Sequence, residues 1–186
     1  EIFSREQFLQ WFDLDHLGRS AAQFDEAKLR WVNAQHMKLT GDAVLAQIVE
    51  SQLARRGIST DGRLPAICGL FKDRCETTVA LADWAAKFYQ PVEPAADELA
   101  KHLTEAVRPA VGILAKMLEV CDWDKVAINE VIKETLRATG LKMPQLAMPV
   151  RVLVMGTAQT PSLDAVLALM PRKEVLARLL SGQKPV

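Results

Sequence analysis

Apolar residues recur at helical spacing along almost the whole chain. Ser4 and Gln7 form a capping-box pattern ahead of Phe8, Leu9, Trp11 and Phe12. Asp25 is placed to cap a helix carrying Leu29, Val32 and Met37. Thr40 is expected to start the next, with Val44, Leu45, Ile48 and Leu53 on one face and Gly57 at its end. Leu64, Ile67, Leu70 and Phe71 repeat at the same period, as do Val79, Leu81, Trp84, Ala85 and Phe88. Pro91 and Pro94 mark a candidate subdomain boundary. A long amphipathic stretch is read from Asp97 to Val120. Asp122 or Asp124 then caps a helix that ends at Gly140. Two short helices close the chain, Pro161–Met170 with Thr160 as N-cap, and Pro171–Leu180. The one β-like run, Val150–Val154, follows Pro149 and has no second strand to pair with, so it is read as helical or irregular. The fold class expected is all-α, a helical array of two packed subdomains.

One segment departs from ordinary amphipathic patterning. Arg151 stands inside the apolar run Leu146, Ala147, Met148, Pro149, Val150, Val152, Leu153, Val154 and Met155, which breaks at Gly156 and restarts at Thr160-Pro161. A charge in apolar surroundings is costly unless a phosphate, a base edge or a carboxylate receives it. Within the chain, Asp164 is the carboxylate considered for that role.

Composition narrows the classes. With 49% hydrophobic and 25% charged residues, the 186-residue chain has enough apolar material for a real core, as one large or two small domains. No apolar run approaches the roughly 20 residues of a membrane span. Cys68, Cys75 and Cys121 are widely spaced, and His16, His36 and His102 lie far from them in sequence. Free thiols in a reducing cytoplasm are expected, without a metal site. Net charge is zero but uneven: residues 1–124 hold 14 basic against 19 acidic side chains, and residues 125–186 hold 9 against 4. The basic tail suits either a polyanion or a solvated surface.

No phosphate-binding loop, dinucleotide fingerprint, nucleophile elbow or paired-histidine helix occurs in the sequence. Arginines carry the remaining chemical signal. Arg74 lies at a helix junction in Phe71-Lys72-Asp73-Arg74-Cys75-Glu76-Thr77. Such a placement suits bidentate recognition of a base edge or phosphate, or else an ion pair with Asp73 or Glu76. Thr160-Pro161-Ser162-Leu163 offers helix N-terminal amides, a hydroxyl and an apolar surface.

Several stretches resemble bacterial glutamyl-tRNA synthetases, in the order that family has them. They are Phe24-Asp25 through Lys28-Leu29-Arg30-Trp31-Val32-Asn33, then Phe71–Thr77, then Leu146-Ala147-Met148-Pro149-Val150-Arg151. Gly156 with Thr160-Pro161-Ser162-Leu163 and the closing Val175-Leu176-Ala177-Arg178-Leu179 complete the set. The family's ATP-binding motifs are absent. The resemblance therefore implies a carboxy-terminal piece, a fragment consistent with a chain that opens at Glu1 without Met. Its implied segments are the end of a stem-contact region (1–41), a first helical anticodon-binding subdomain (42–97) and a second (98–186). By the same resemblance Arg74 is assigned to the first anticodon base and Arg151 to the middle one. Thr160, Pro161 and Leu163 hold the middle and third bases, and Lys28, Trp31 and Asn33 match the stem-contact motif.

The resemblance implies a cytoplasmic monomer that binds tRNA(Glu), with no membrane or DNA partner. The piece itself needs no cofactor and is inactive alone, ATP and Mg acting in the catalytic domain of its parent ligase. The competing reading is a helical protein-interaction scaffold that exposes the Leu146–Met155 surface to a partner helix. A small all-α enzyme ranks last, for lack of any nucleophile–base or metal spacing.

Overall fold

The computed structural model describes residues 2–15, 18, 23–94 and 96–181, so His16 lies outside the described residues. Eleven α-helices and one 3-10 turn make up the regular structure, with no strand among the described residues. No helix of these residues is long and apolar enough to cross a membrane. The chain divides into two compact units, Glu1–Trp84 and Ala85–Val186. The division falls inside a helix, and Pro91–Pro94 belongs to the second unit.

The first unit holds α1 (Arg5–Trp11), α2 (Glu26–Leu39), α3 (Asp42–Arg55), α4 (Leu64–Phe71), the 3-10 turn Lys72–Arg74 and most of α5 (Thr78–Ala86). The Ser4–Gln7 capping box and the Asp25 cap both form. Thr40 ends α2 instead of starting α3: its hydroxyl donates to the His36 carbonyl oxygen at 2.7 Å. That back-bond to residue i−4 satisfies an end-of-helix carbonyl, and Gly41 takes the N-cap position of α3. Gly57, at φ +74°, turns the chain after α3. Leu45, Val49 and Leu53 of α3 and Ile67, Cys68 and Phe71 of α4 are buried together with Leu81. Phe71 stacks on Trp84 with ring centroids 5.0 Å apart.

The second unit holds α6 (Ala96–His102), α7 (Arg108–Val120), α8 (Lys125–Thr139), α9 (Met143–Met155), α10 (Leu163–Ala168) and α11 (Arg172–Ser181). The stretch Asp97–Val120 is thus two helices, not one. Pro109 explains the break: inside a continuous helix its ring would meet the carbonyl four residues earlier, so it sits in the first turn of α7. Asp124, not Asp122, caps α8 through its carboxylate, accepting from Val126 N–H (2.8 Å) and Ala127 N–H (3.0 Å). Gly140 ends that helix in the left-handed region.

The β-like Val150–Val154 is helical and lies within α9. Leu146, Ala147, Pro149, Val150 and Val152–Met155 are all buried, so this helix is apolar on nearly every side because it is the centre of the unit. Burial on that scale outweighs the modest helix propensity of its valines and the hydrogen bond that Pro149 cannot donate. α10 begins two residues later than expected. Ser162 is its N-cap, and Thr160 is buried with its hydroxyl donating to the Pro161 carbonyl oxygen at 3.0 Å. Proline disfavours helical backbone at the residue before it, which keeps Thr160 out of the helix.

The C-terminal end of α9 is held by two cations. Lys87 Nζ donates to the Met155 carbonyl oxygen at 2.8 Å. Arg178 of α11, 7% exposed, donates to the carbonyl oxygens of Val154 (2.6 Å), Lys87 (2.9 Å) and Gln90 (2.8 Å) and pairs with Glu174 at 2.8 Å. Gly156 follows at φ +72°, where a Cβ would lie 2.8 Å from Val92 Cγ1.

Two stability outcomes follow from these contacts. Asp124→Ala removes an N-cap and lowers unfolding free energy by about 1 kcal/mol in a denaturant titration. Arg178→Met leaves buried carbonyls without donors and costs on the order of 3 kcal/mol, with Arg178→Lys between it and the unmodified chain. Equal midpoints for Arg178→Met and the unmodified chain would show that Arg178 does not stabilise the end of α9.

Candidate nucleic-acid interface

Arg74 sits on a turn fixed from both sides. Lys72 points inward: its ammonium lies 2.8 Å from Asp42 Oδ1 and 2.9 Å from the Thr40 carbonyl oxygen. Cys75 is buried on the other side, and its N–H donates to the Lys72 carbonyl oxygen at 3.2 Å. Gly69 allows the close approach that this needs, since a Cβ there would meet Asp42 Oδ2 at 2.4 Å. Asn33 of α2 adds a tie by donating through Nδ2 to the Glu76 carbonyl oxygen.

Burial pushes the Cys75 thiol up to about 11, aided by Asp83. Burial likewise raises Cys68 to about 11, with further contributions from Asp42 and Cys75. Both stay neutral thiols at physiological pH and act as packing groups.

Between these anchors Arg74 is exposed. Its side chain has no hydrogen bond or ion pair to the described residues. Neither Asp73 nor Glu76 takes it, and Glu76 faces Arg30 at 4.0 Å. An unengaged guanidinium on an anchored turn keeps all its donors for an outside acceptor.

Arg151 occupies the half-exposed edge of α9. Its Nη2 donates to the Pro161 carbonyl oxygen at 3.4 Å, a long bond to backbone. The same carbonyl receives the Thr160 hydroxyl, so one oxygen gathers Arg151 and Thr160. The structure therefore brings Arg151, Thr160 and Pro161 to one corner. Thr160, Pro161 and Leu163 are buried, leaving Gln159 and Ser162 as the exposed residues of that corner.

The stem-motif residues lie on α2. Lys28 is exposed, Trp31 is 47% exposed, and Asn33 is engaged as described. Sequence reading missed Lys72, Lys87 and Arg178, which position the two arginine-bearing segments. Their signal was a basic residue beside a helix end, a pattern shared with ordinary solvated lysines and arginines.

No group of three or more His, Cys, Asp or Glu side chains among the described residues could hold a metal ion. The apolar surface that the scaffold reading needs is not exposed. Its apolar residues other than Met148 are core, and on α9 Met143 (43%) and Met148 (37%) are the exposed large hydrophobics.

The glutamate–tRNA ligase of Paracidovorax citrulli is 65% identical over 183 residues, covering 96% of this chain and 38% of that protein. That of Albidiferax ferrireducens is 64% identical over 181 residues, covering 97% and 39%. The chain thus spans well under half the length of these relatives. The solved structure of a glutamate tRNA ligase from Elizabethkingia meningosepticum, in complex with its amino acid, matches 97% of this chain and 36% of its own. Its TM-score is 0.89 at 20% identity, a likeness of fold. The model of the anticodon binding domain matches residues 31–182, and with that match the chain belongs to the anticodon binding domain family.

Proposed function

We propose that this chain is the anticodon-binding part of a glutamate–tRNA ligase and that its ligand is tRNA(Glu). The observation that carries the reading is Arg74, a fully available guanidinium on a turn anchored by Lys72 and Cys75. Anticodon bases splay out of a single-stranded loop and expose acceptor edges, which an arginine fork matches. Arg151, at the Thr160-Pro161 corner, is the second reader. Thr160, Pro161 and Leu163 act through the shape and backbone of that corner, since their side chains are covered.

Lys28, Trp31 and Asn33 are proposed as stem contacts in the segment 1–41, with residues 42–97 and 98–186 as the two anticodon-binding segments. The aminoacylation chemistry, with ATP and Mg, is assigned to the catalytic part of the longer parent enzyme. The chain alone is proposed to be inactive, cytoplasmic and monomeric.

The test is filter binding of the 186-residue chain to a glutamate tRNA transcript and to three transcripts with one anticodon base changed in each. Arg74→Ala and Arg151→Ala are each expected to weaken the cognate complex by about fivefold to over a hundredfold, the worth of a bidentate base contact. Each variant should also become indifferent to one anticodon position. Losses below about threefold for both would overturn the reading, since lost base contacts of that strength would be larger.

A further inference from the structure

A cleft between α6 and α9 is not used by the contacts described so far. One part, of about 270 Å³, is lined by Lys101, His102, Gln145, Met148 and neighbouring prolines. An adjoining part, of about 300 Å³, shares Lys101, His102 and Met148 and reaches Thr157, Ala158 and Gln159. Those last residues run directly into Thr160-Pro161. On α9, Pro144, Met148 and Arg151 follow at four- and three-residue steps and form one stripe along the helix. The cleft is therefore continuous with the Arg151 corner.

Its chemistry is mixed in the way a nucleotide requires. Met148 supplies polarizable apolar surface, and the His102 ring is a flat stacking partner. Glu98 lies 3.6 Å from His102 and lines the adjoining part of the cleft. Gln145 has its carbonyl oxygen engaged by the Lys142 N–H at 2.8 Å, which leaves its amide N–H groups as donors. Lys101 brings a point charge of the kind that meets a phosphate. Each part of the cleft is near the lower bound of about 300 Å³ for sites that enclose a small ligand, room for one flat ring.

We propose that this cleft holds one unstacked loop nucleotide next to the base at Arg151, with its base between Met148 and His102 and its phosphate at Lys101. The proposal rests on the anticodon-reading function above. It adds a contact that is tolerant of base identity, because stacking and a phosphate contact carry no edge code. Reading by Arg74 and Arg151 is thereby separated from grip by the cleft.

The experiment uses the full chain and the anticodon stem-loop RNA of a glutamate tRNA, in intact form and with an abasic nucleotide at each loop position flanking the anticodon. Lys101→Ala is expected to lower the slope of log affinity against log salt by about one. The double variant His102→Ala/Met148→Ala is expected to weaken the intact loop at least about fivefold, and to bind one of the abasic loops as well as the unmodified chain does. Circular dichroism melting verifies that the variants fold, and Lys101→Ala, at an exposed position, gives an independent readout. If Arg151→Ala weakens binding while both cleft variants match the unmodified chain, the cleft proposal is overturned and the anticodon reading stands. If the unmodified chain fails to bind the stem-loop, both fall together.

Discussion

The second unit depends on a buried guanidinium. Arg178 is almost wholly withdrawn from water, and a charge so placed is tolerated only when its donors are taken up. It meets that condition with backbone oxygens from two separate places, Val154 at the end of α9 and Lys87 and Gln90 in the segment after α5. Carbonyls at the end of a helix have no partner inside it. Arg178 and Lys87 supply those partners for Val154 and Met155, and the positive charge suits the negative end of the helix dipole. α9 is thereby fixed in position, and α9 carries Arg151. The chain then leaves through Gly156, whose backbone conformation and contact with Val92 leave no room for a side chain. The corner at Thr160-Pro161 inherits its position from that exit.

The first unit solves the same problem with lysine. Lys72 and Arg74 are two positions apart on one 3-10 turn, yet their roles diverge. The compact ammonium of Lys72 fits between Asp42 and Thr40, while the guanidinium of Arg74 extends into solvent. A point charge suits a tight internal bridge, and a planar fork suits an outside ligand with paired acceptors. The buried Cys75 completes the anchor, its thiol kept neutral by its surroundings.

Much of this was legible in the sequence where one local signal had no rival. Gly140 closes α8, and Ser4 with Gln7 opens α1, because capping chemistry is local, whereas Asp122 and Asp124 both offered a cap for α8 and Asp124 takes it. The all-α class followed from apolar periodicity, and the resemblance in the segments around Arg74 and Arg151 pointed to the family that the comparison supports. Reading failed where two local signals competed, or where the deciding partner was distant in sequence. Thr40 and Thr160 both carry a good cap side chain, but each bonds a nearby carbonyl instead, and the helices start elsewhere. Pro109 is a helix-start signal masked by the strong amphipathic pattern around it. The inward roles of Lys72, Lys87 and Arg178 depend on partners up to 91 residues away, which no spacing rule reveals.

The proposed function has this chain meet RNA through the bases of the anticodon loop. Nucleotide-resolution chemical probing of a glutamate tRNA, free and saturated with the chain, is the decisive measurement. Strong protection of the anticodon bases and of a flanking loop nucleotide is expected, with the acceptor end as reactive as in free RNA. Anticodon bases that remain as reactive as in free RNA, with weak protection spread evenly along the backbone, would contradict it.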